Sequence, residues 1–403
     1  MPPKLEMQRL DLLIYAHDGR GLGHASRSVA IGLAVRRLFP DLRVLFVTGL
    51  KKTADLIGEG RLDWIKLPSY ETRVADGVSR GCRGTSNLSD QELGMLRAGI
   101  LQDLVARLRP RCALSDHMPQ GKHRELLPAL TASASDGATR WMLGLRGVIG
   151  DVKGVWSEMA IETFQQFYTD ILWYGDPAVL GDAMPKQLAQ QFGRIPTATG
   201  YVSRLAEWRH VSPPERSAGA PLLAGTVSMP WIGEHSAVFL EALIRSIERI
   251  GSAVGQWYFF LGRSGEGVVM RNVFEKLRRL PHCRVFEPGE AYLHALMRSR
   301  MAVIYGGYNS LTDLLYAGRP GLVVLRGMQD QEQQIHVRRL RASLADQLQA
   351  INETEANPDN LETLLRRQLE SASQPHPGIR LDGAQTAAHH IGQAITSDGR
   401  RGV

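Results

Sequence analysis

The chain is short of cysteine and of long apolar runs, and each shortage narrows what it can be. Its 403 residues include only Cys82, Cys112 and Cys283, far apart and without C-x-x-C or Cys/His spacing. That argues against a disulfide framework and a structural zinc site. No stretch approaches the roughly 18–20 uninterrupted apolar residues of a membrane-crossing helix. The opening MPPKLEMQRLDLLIYAHD has an apolar run too short and too quickly interrupted for a signal peptide. No basic block is interleaved with aromatics, so nucleic acid is not an expected partner. These absences predict a cytoplasmic protein; a monomer or a homodimer is expected, and the sequence does not choose between them.

What remains is ordinary globular composition: 43% hydrophobic, 22% charged, 41 glycines, with 48 basic against 41 acidic residues for a net charge of +7. The excess is modest for this length. It fits an anionic substrate, or peripheral contact with the inner face of a membrane. No helix with a lysine- and arginine-lined polar face is evident as an anchor. The length suggests two domains of roughly 200 residues each.

Short apolar runs alternate with helical periods throughout, which is the α/β signature. In the first half the pattern predicts strands near Leu12–Ala16, Val44–Thr48, Asp63–Leu67, Cys112–Ser115 and Trp141–Leu145. Helices are expected near His24–Leu38, Lys51–Gly58, Asp90–Leu108 and Lys122–Leu130. Residues 196–220, rich in Pro, Gly, Ser and Ala, read as a linker. A second α/β run follows, opening on strand Leu222–Val227 and helix Ser236–Ile250. The last helix, near Ala384–Ile395, is free to pack on either domain.

Residues 302–340 carry the strongest local signal. They read as a strand to Tyr305, the turn Gly306-Gly307, a helix from about Asn309 to Tyr316, and a strand Gly321–Leu325 running into a loop with Asp330, Glu332 and Gln333. A strand feeding a helix N-terminus through glycines can set backbone N–H groups against a phosphate. Ser310 stands in the first helical turn and Asp313 one turn later, on the same face. Capping would account for Asn309 or Ser310. Carboxylates downstream can accept hydrogen bonds from sugar hydroxyls.

In the first half, His17-Asp18-Gly19-Arg20-Gly21-Leu22-Gly23-His24 follows strand one and opens helix one. Its glycines permit a sharp turn, and Gly21 and Gly23 would line a ligand's approach, but the G-x-G-x-x-G spacing is missing. The motif sets an imidazole, suited to general base work, at its end. Ser115-Asp116-His117 ends another strand, where ligands of open α/β sheets gather. Asp116 or His117 could bind an acceptor hydroxyl or orient His24. A single G-x-S-x-G match, Gly77 to Gly81, has no apolar strand leading into it, so a serine hydrolase is rejected. In the second half, Thr226 and Arg263 lie where strand ends are expected, and Arg263 is a candidate diphosphate partner because a guanidinium binds phosphate oxygens bidentately.

With these motifs together and in this order, the chain resembles a GT-B glycosyltransferase. The resemblance is to the group containing the lipid-II-forming N-acetylglucosaminyltransferase and the plant galactolipid synthases. Within it, the chain is most similar to the bacterial proteins known as predicted glycosyltransferases. The similarity runs over nearly the whole chain, from HDGRGLGHASRSVAIGLA (17–34) and LSDHMPQGKHRELLPAL (114–130) to GGYNSLTDLLYAGRPGLVVLR and EQQIHVRRL.

That resemblance implies two Rossmann-like domains with a deep interdomain cleft. Residues 1–200 would bind the acceptor, with 381–397 packing back on them, and 201–380 the nucleotide-sugar donor. It implies that Gly307 and Ser310 touch the diphosphate, Asp313 the ribose, Glu332 and Gln333 the sugar hydroxyls, and that Phe286 and Glu287 lie along the base. Relatives usually carry more glycines where this chain has Gly225 to Pro230, a glutamate at Asp313, and Asn or Arg at His336.

The expected chemistry is inverting transfer from a UDP- or TDP-type sugar to a hydroxyl or amine of a small-molecule or lipid acceptor. His24 takes the proton, and the nucleotide diphosphate-sugar is a co-substrate, with no obligatory cofactor or metal. A nucleotide-sugar hydrolase and an inactive nucleotide-sugar-binding protein are the alternatives on the same fold.

Overall fold

The computed structural model describes residues 8–17, 22–75, 78–84, 86–135, 137, 139–150, 152–211, 222–230, 232, 235–262, 268–327, 331–376 and 378–399. The chain divides into two compact units, one of residues 1–211 with 380–403, the other of residues 212–379.

The first unit is built on β1 Leu12–Ala16, β2 Val44–Thr48, β3 Asp63–Lys66, β4 Glu71–Ala75, β5 Val78–Cys82, β6 Cys112–Asp116, β7 Arg140–Arg146, β8 Tyr168–Tyr174 and β9 Thr197–Ala198. Seven of these form a parallel sheet in the order β3-β2-β1-β6-β7-β8-β9. In the middle, β1 and β6 are buried at every residue, as parallel strands covered on both faces must be. β4 and β5 pair separately as an antiparallel hairpin. Ser79 of the G-x-S-x-G match therefore lies in a hairpin strand, not at a strand-to-helix elbow. Helix Asp90–Leu108 starts at a capping box, in which the Ser89 hydroxyl accepts from the Glu92 N–H and the Glu92 carboxylate from the Ser89 N–H. The C-terminal helix Gly383–Gly399 packs on the opening helix Gly23–Leu38.

The second unit holds β10 Leu223–Met229, β11 Trp257–Leu261, β12 Cys283–Phe286, β13 Ser299–Tyr305, β14 Gly321–Leu325 and β15 Leu348–Asn352, all parallel in the order β12-β11-β10-β13-β14-β15. Its main core joins one face of this sheet, through Val227, Met229, Phe259 and Val303, to Phe239, Leu243, Leu361 and Leu365 of helices Ser236–Ile250 and Pro358–Glu370.

Four expectations change. The first strand of this unit runs two residues past the expected Val227, to Met229, so the stretch where relatives carry more glycines is strand almost to its end. The reason is packing: a Cβ on Gly225 would come within 2.3 Å of the Trp257 ring, so this glycine serves a neighbouring side chain in the sheet. Glu332 and Gln333 open helix Glu332–Leu344 instead of lying in a loop. The helix expected over 122–130 is broken, because His123 and Arg124 have φ of 52° and 65°, outside the right-handed helical region. Much of the expected linker is regular structure of the first unit: β9, then helix Arg204–Val211. Residues 212–221 lie outside the described ones.

Candidate active site

In an open parallel sheet, connections leave to opposite faces where the strand order reverses, and the crevice between the two strand ends takes ligand. In the first unit that reversal falls between β1 and β6. His17 directly follows β1, Asp116 ends β6, and His117 comes next. His24 is the second residue of the helix after β1. Sequence positions almost 100 apart are thereby brought together: His24 Nδ1 lies 2.5 Å from Asp116 Oδ2. Asp116 is fully enclosed, while the His24 side chain keeps 16% of its exposure.

Arg27, one turn along the same helix, completes the pair. Its Nη2 donates to Asp116 Oδ2 at 2.9 Å and to Oδ1 at 3.3 Å, and its Nε to Oδ1 at 3.4 Å. The His17 and His117 rings stand 4.0 and 5.2 Å from that of His24. His117 has φ 75°, a left-handed conformation that few non-glycine residues adopt. Its N–H is fixed to Gly144 O at 2.8 Å. The Nδ1 atoms of His17 and His117 are buried without a hydrogen-bond partner among the described residues.

Burial holds all three imidazoles well below the ordinary histidine range. Arg27, Arg146 and Lys122 push the same way on His24, Arg146 and the other two histidines on His117, and His24 and Lys122 on His17. The rings are therefore neutral at neutral pH. Since the Asp116 carboxylate can only accept, His24 Nδ1 carries the proton and Nε2 has the lone pair. Among the described residues, no three His, Cys, Asp or Glu side chains are placed to hold a metal ion.

The same unit holds a buried ionic network. Arg97 donates to both oxygens of Glu125, at 2.5 and 2.8 Å, and Tyr15 O–H donates to Glu125 as well. Lys122 packs its ammonium over the Tyr70 ring, 5.2 Å from the centroid.

In the second unit the order reverses between β10 and β13. Beyond β13, Gly307 is the N-cap of helix Tyr308–Ala317 and no side chain caps it. Its φ of −72° suits any residue, and a Cβ there would meet nothing within 4 Å. Neither backbone conformation nor packing requires glycine here; what its absence of side chain leaves is open backbone. Asn309 and Ser310 are half-buried in the first turn, and Asp313 is buried one turn later. A Cβ on Gly306 would approach Gln333 Cβ to 3.3 Å, so the start of helix Glu332–Leu344 adjoins this turn. Glu332 is buried, and Gln333 Oε1 is buried without a hydrogen-bond partner among the described residues. Gly307, Asn309, Ser310, Asp313, Glu332 and Gln333 thus belong to two adjoining helix starts.

The other donor candidates fall elsewhere. Thr226 is a correction: it lies inside β10, fully buried, with its hydroxyl 2.5 Å from Ser299 Oγ, and not at the strand's end. Phe286 and Glu287 line a cavity of about 700 Å³ between the ends of β11 and β12 and helix Val268–Arg279, with Gly262, Met270 and Phe274. The Phe286 ring also packs on Phe260 and Tyr258, at 5.3 and 4.9 Å. Gly21 and Arg263 lie outside the described residues, as do Asp18, Gly19, Arg20 and Asp330. Gly23 is the first residue of its helix.

Sequence reasoning missed Arg27 and a second buried network. In the latter, Glu353 Oε1 accepts from Ser236 and Tyr305, each at 2.8 Å, while Arg326 packs over the Tyr305 ring. The i, i+3 spacing of His24 and Arg27 was the available signal for Arg27.

Solved structures match this architecture over essentially the full chain. A protein described as a putative UDP-N-acetylglucosamine 2-epimerase from Listeria monocytogenes is 13% identical, with a TM-score of 0.63 and coverage of 98% of both chains. Acinetobacter baumannii MurG is 12% identical, with a TM-score of 0.54 and coverage of 97% of this chain and 99% of its own. Medicago truncatula UGT71G1, solved with UDP-glucose, is 11% identical, with a TM-score of 0.58 and coverage of 96% and 98%. The chain has the GT-B fold. No protein-family model matches the sequence, and no curated protein sequence matches it. No described helix is long and apolar enough to cross a membrane. On this GT-B frame, both candidate clusters sit at the reversal points of their sheets.

Proposed function

We propose that the protein is an inverting glycosyltransferase that moves a sugar from a nucleotide diphosphate-sugar, of UDP or TDP type, to a hydroxyl or amine. The observation that carries this is His24 Nδ1 at 2.5 Å from Asp116 Oδ2. That contact leaves Nε2 of a neutral imidazole to take the acceptor's proton. The first unit binds the acceptor, with Gly21, Gly23 and His117 around it. Attack on the anomeric carbon then expels the nucleotide diphosphate with inversion.

The donor belongs to the second unit. Gly307 lets the diphosphate approach backbone at the uncapped start of helix Tyr308–Ala317, where the helix dipole and N–H groups favour anions. Ser310 and Arg263 add donors, and Asp313 takes the ribose hydroxyls. Glu332 and Gln333 take the sugar hydroxyls, and Phe286 with Glu287 the base. Charge on the leaving group is met by these groups, so no metal is obligatory. Solved neighbours were obtained with UDP, UDP-GlcNAc and UDP-glucose, which supports a uridine donor as the first to test.

A thermal-shift screen across UDP-, TDP- and GDP-sugars tests donor binding. A ligand at about 100 times its dissociation constant should add roughly 2.7 kcal/mol of stability. Product analysis with and without acceptors then separates transfer from hydrolysis. No shift with any nucleotide-sugar would overturn the proposal.

A further inference from the structure

We propose that Arg27 is a positioning residue for the His24–Asp116 pair: its guanidinium neutralises the Asp116 carboxylate and fixes His24 as the neutral tautomer with Nδ1 protonated and Nε2 open. This rests on His24 being the base of the proposed reaction, but its geometry stands independently.

An imidazole bonded to a bare buried carboxylate is drawn toward protonation, because an opposite charge favours the charged form. Such a histidine would hold its proton at neutral pH and could not act as a base. Here the carboxylate is shared. Asp116 Oδ2 takes His24 at 2.5 Å and Arg27 at 2.9 Å, and Oδ1 takes two further contacts from Arg27. Arg27 is 3% exposed and Asp116 1%, so water screens little of this interaction.

Arg27 Nη2 also lies 3.2 Å from His24 Nδ1. Nδ1 cannot both donate to Asp116 and accept from Arg27, and the shorter contact decides for donation to the carboxylate. Among the described residues, the remaining charged or titratable groups facing His24 are Arg146 at the end of β7, Lys122 in the turn beyond β6, and the neutral rings of His17 and His117. Around His24 the described positive groups outnumber the one carboxylate, and Arg27 bonds to both oxygens of that carboxylate.

A purely structural Arg27, tying the opening helix to the end of β6, would change stability on substitution and leave His24's titration where it was. The test uses full-length protein with ¹⁵N-labelled histidine, followed by NMR of the ring nitrogens, His24 being assigned from its loss in His24→Gln. In Arg27→Gln the His24 midpoint should rise by at least about one pH unit, within the range an opposite charge at close range produces. In Arg27→Lys, which keeps the charge, it should stay near wild type. A midpoint unmoved or lowered in Arg27→Gln, or an equal shift in both variants, would overturn the proposal.

If Arg27→Gln does not fold, the wild type still decides: its ring nitrogens must show His24 neutral at pH 7, with Nδ1 protonated and Nε2 bare, and a His24 charged at that pH or in the opposite tautomer sinks the idea. The readout needs no turnover, so failure of sugar transfer would leave this result standing. Where transfer is found, the acid limb of kcat/KM should move up in Arg27→Gln by the same interval.

Discussion

His24 and Asp116 are 92 residues apart in sequence and meet at 2.5 Å where the first unit's sheet reverses its strand order. Each alone is unremarkable; together they make a base whose tautomer is set by a carboxylate that can only accept. Substituting His24 by Ala should lower turnover by about 100–10,000-fold, the usual contribution of a positioned general base. UDP affinity should be nearly unchanged, because the donor candidates lie in the other unit. Asp116→Asn should lower turnover comparably, since an amide can present N–H to Nδ1 and favour the wrong tautomer. Steady-state kinetics beside calorimetric UDP binding checks both. Wild-type pH dependence in His24→Ala would remove it from the role.

Two glycines of the second unit make opposite predictions. At Gly307 the backbone accepts any residue and a Cβ meets open space. Gly307→Val should leave the melting temperature within a degree or two and weaken nucleotide binding at least about tenfold, about 1.4 kcal/mol. At Gly225 a Cβ would lie 2.3 Å from the Trp257 ring. Gly225→Ala should cost about 1–3 kcal/mol of stability, as overpacking does. Its nucleotide affinity should be unaffected in the fraction that remains folded. Paired denaturation and binding curves separate the two. If Gly307→Val bound nucleotide as wild type does, the diphosphate would have to sit elsewhere.

The sequence made much of the frame legible because parallel strands buried on both faces have to be apolar: Leu12–Ala16, Val44–Thr48 and Gly321–Leu325 are found where their apolar runs lie. The histidine at the glycine turn and the Asp-His after β6 were legible for the same reason, since each follows such a run. The end of β10 was placed too early because Gly225, Thr226 and Ser228 look like loop chemistry. Gly225 packs against Trp257 and Thr226 bonds Ser299, 32 and 73 residues away, respectively. The break at His123 and Arg124 has left-handed φ without glycine, so no residue type announced it. Arg27 was missed because an arginine on a helix normally faces water, and only the fold buries this helix from Ala25 to Val35 and brings Asp116 to it.

The C-terminal helix Gly383–Gly399 offers a pH prediction. His390 Nε2 lies 3.2 Å from Asp170 Oδ1, and Arg140 donates to both Asp170 oxygens at 2.8 Å. Burial disfavours the Asp170 carboxylate, but the bonds from His390, Arg140 and Thr169 outweigh it and hold it well below the usual aspartate range. A carboxyl depressed in the folded state contributes stability that is present above its unfolded value near 3.9 and is lost as pH falls toward the folded one. Asp170→Asn should therefore lower the melting temperature at pH 7 and flatten its decline below about pH 4. Parallel melting curves from pH 7 to pH 3 check this. An unchanged acid slope in Asp170→Asn would mean that this carboxylate is not the linked group.

In the second unit, Glu353 ties three elements together: the end of β13 through Tyr305, the start of helix Ser236–Ile250 through Ser236, and its own segment after β15. Ser236 Oγ and Tyr305 Oη are also 3.0 Å apart, and Arg326 Nε lies 3.9 Å from the second oxygen of Glu353. Burial, then Glu353, holds the Tyr305 phenol far above its usual range, so it donates at any working pH. Tyr305→Phe removes one hydroxyl donor from a buried carboxylate, which typically costs about 1–3 kcal/mol. Because Tyr305 directly precedes Gly306 and Gly307, the same change should loosen the turn that leads into helix Tyr308–Ala317 and raise the UDP dissociation constant severalfold. Glu353→Gln keeps the shape and both hydroxyl partners, so its loss should be smaller than that of Glu353→Ala. Urea melts with UDP titrations of all three variants order them. Equal losses for Glu353→Gln and Glu353→Ala would show that the charge, not the hydrogen-bonded frame, holds this corner together.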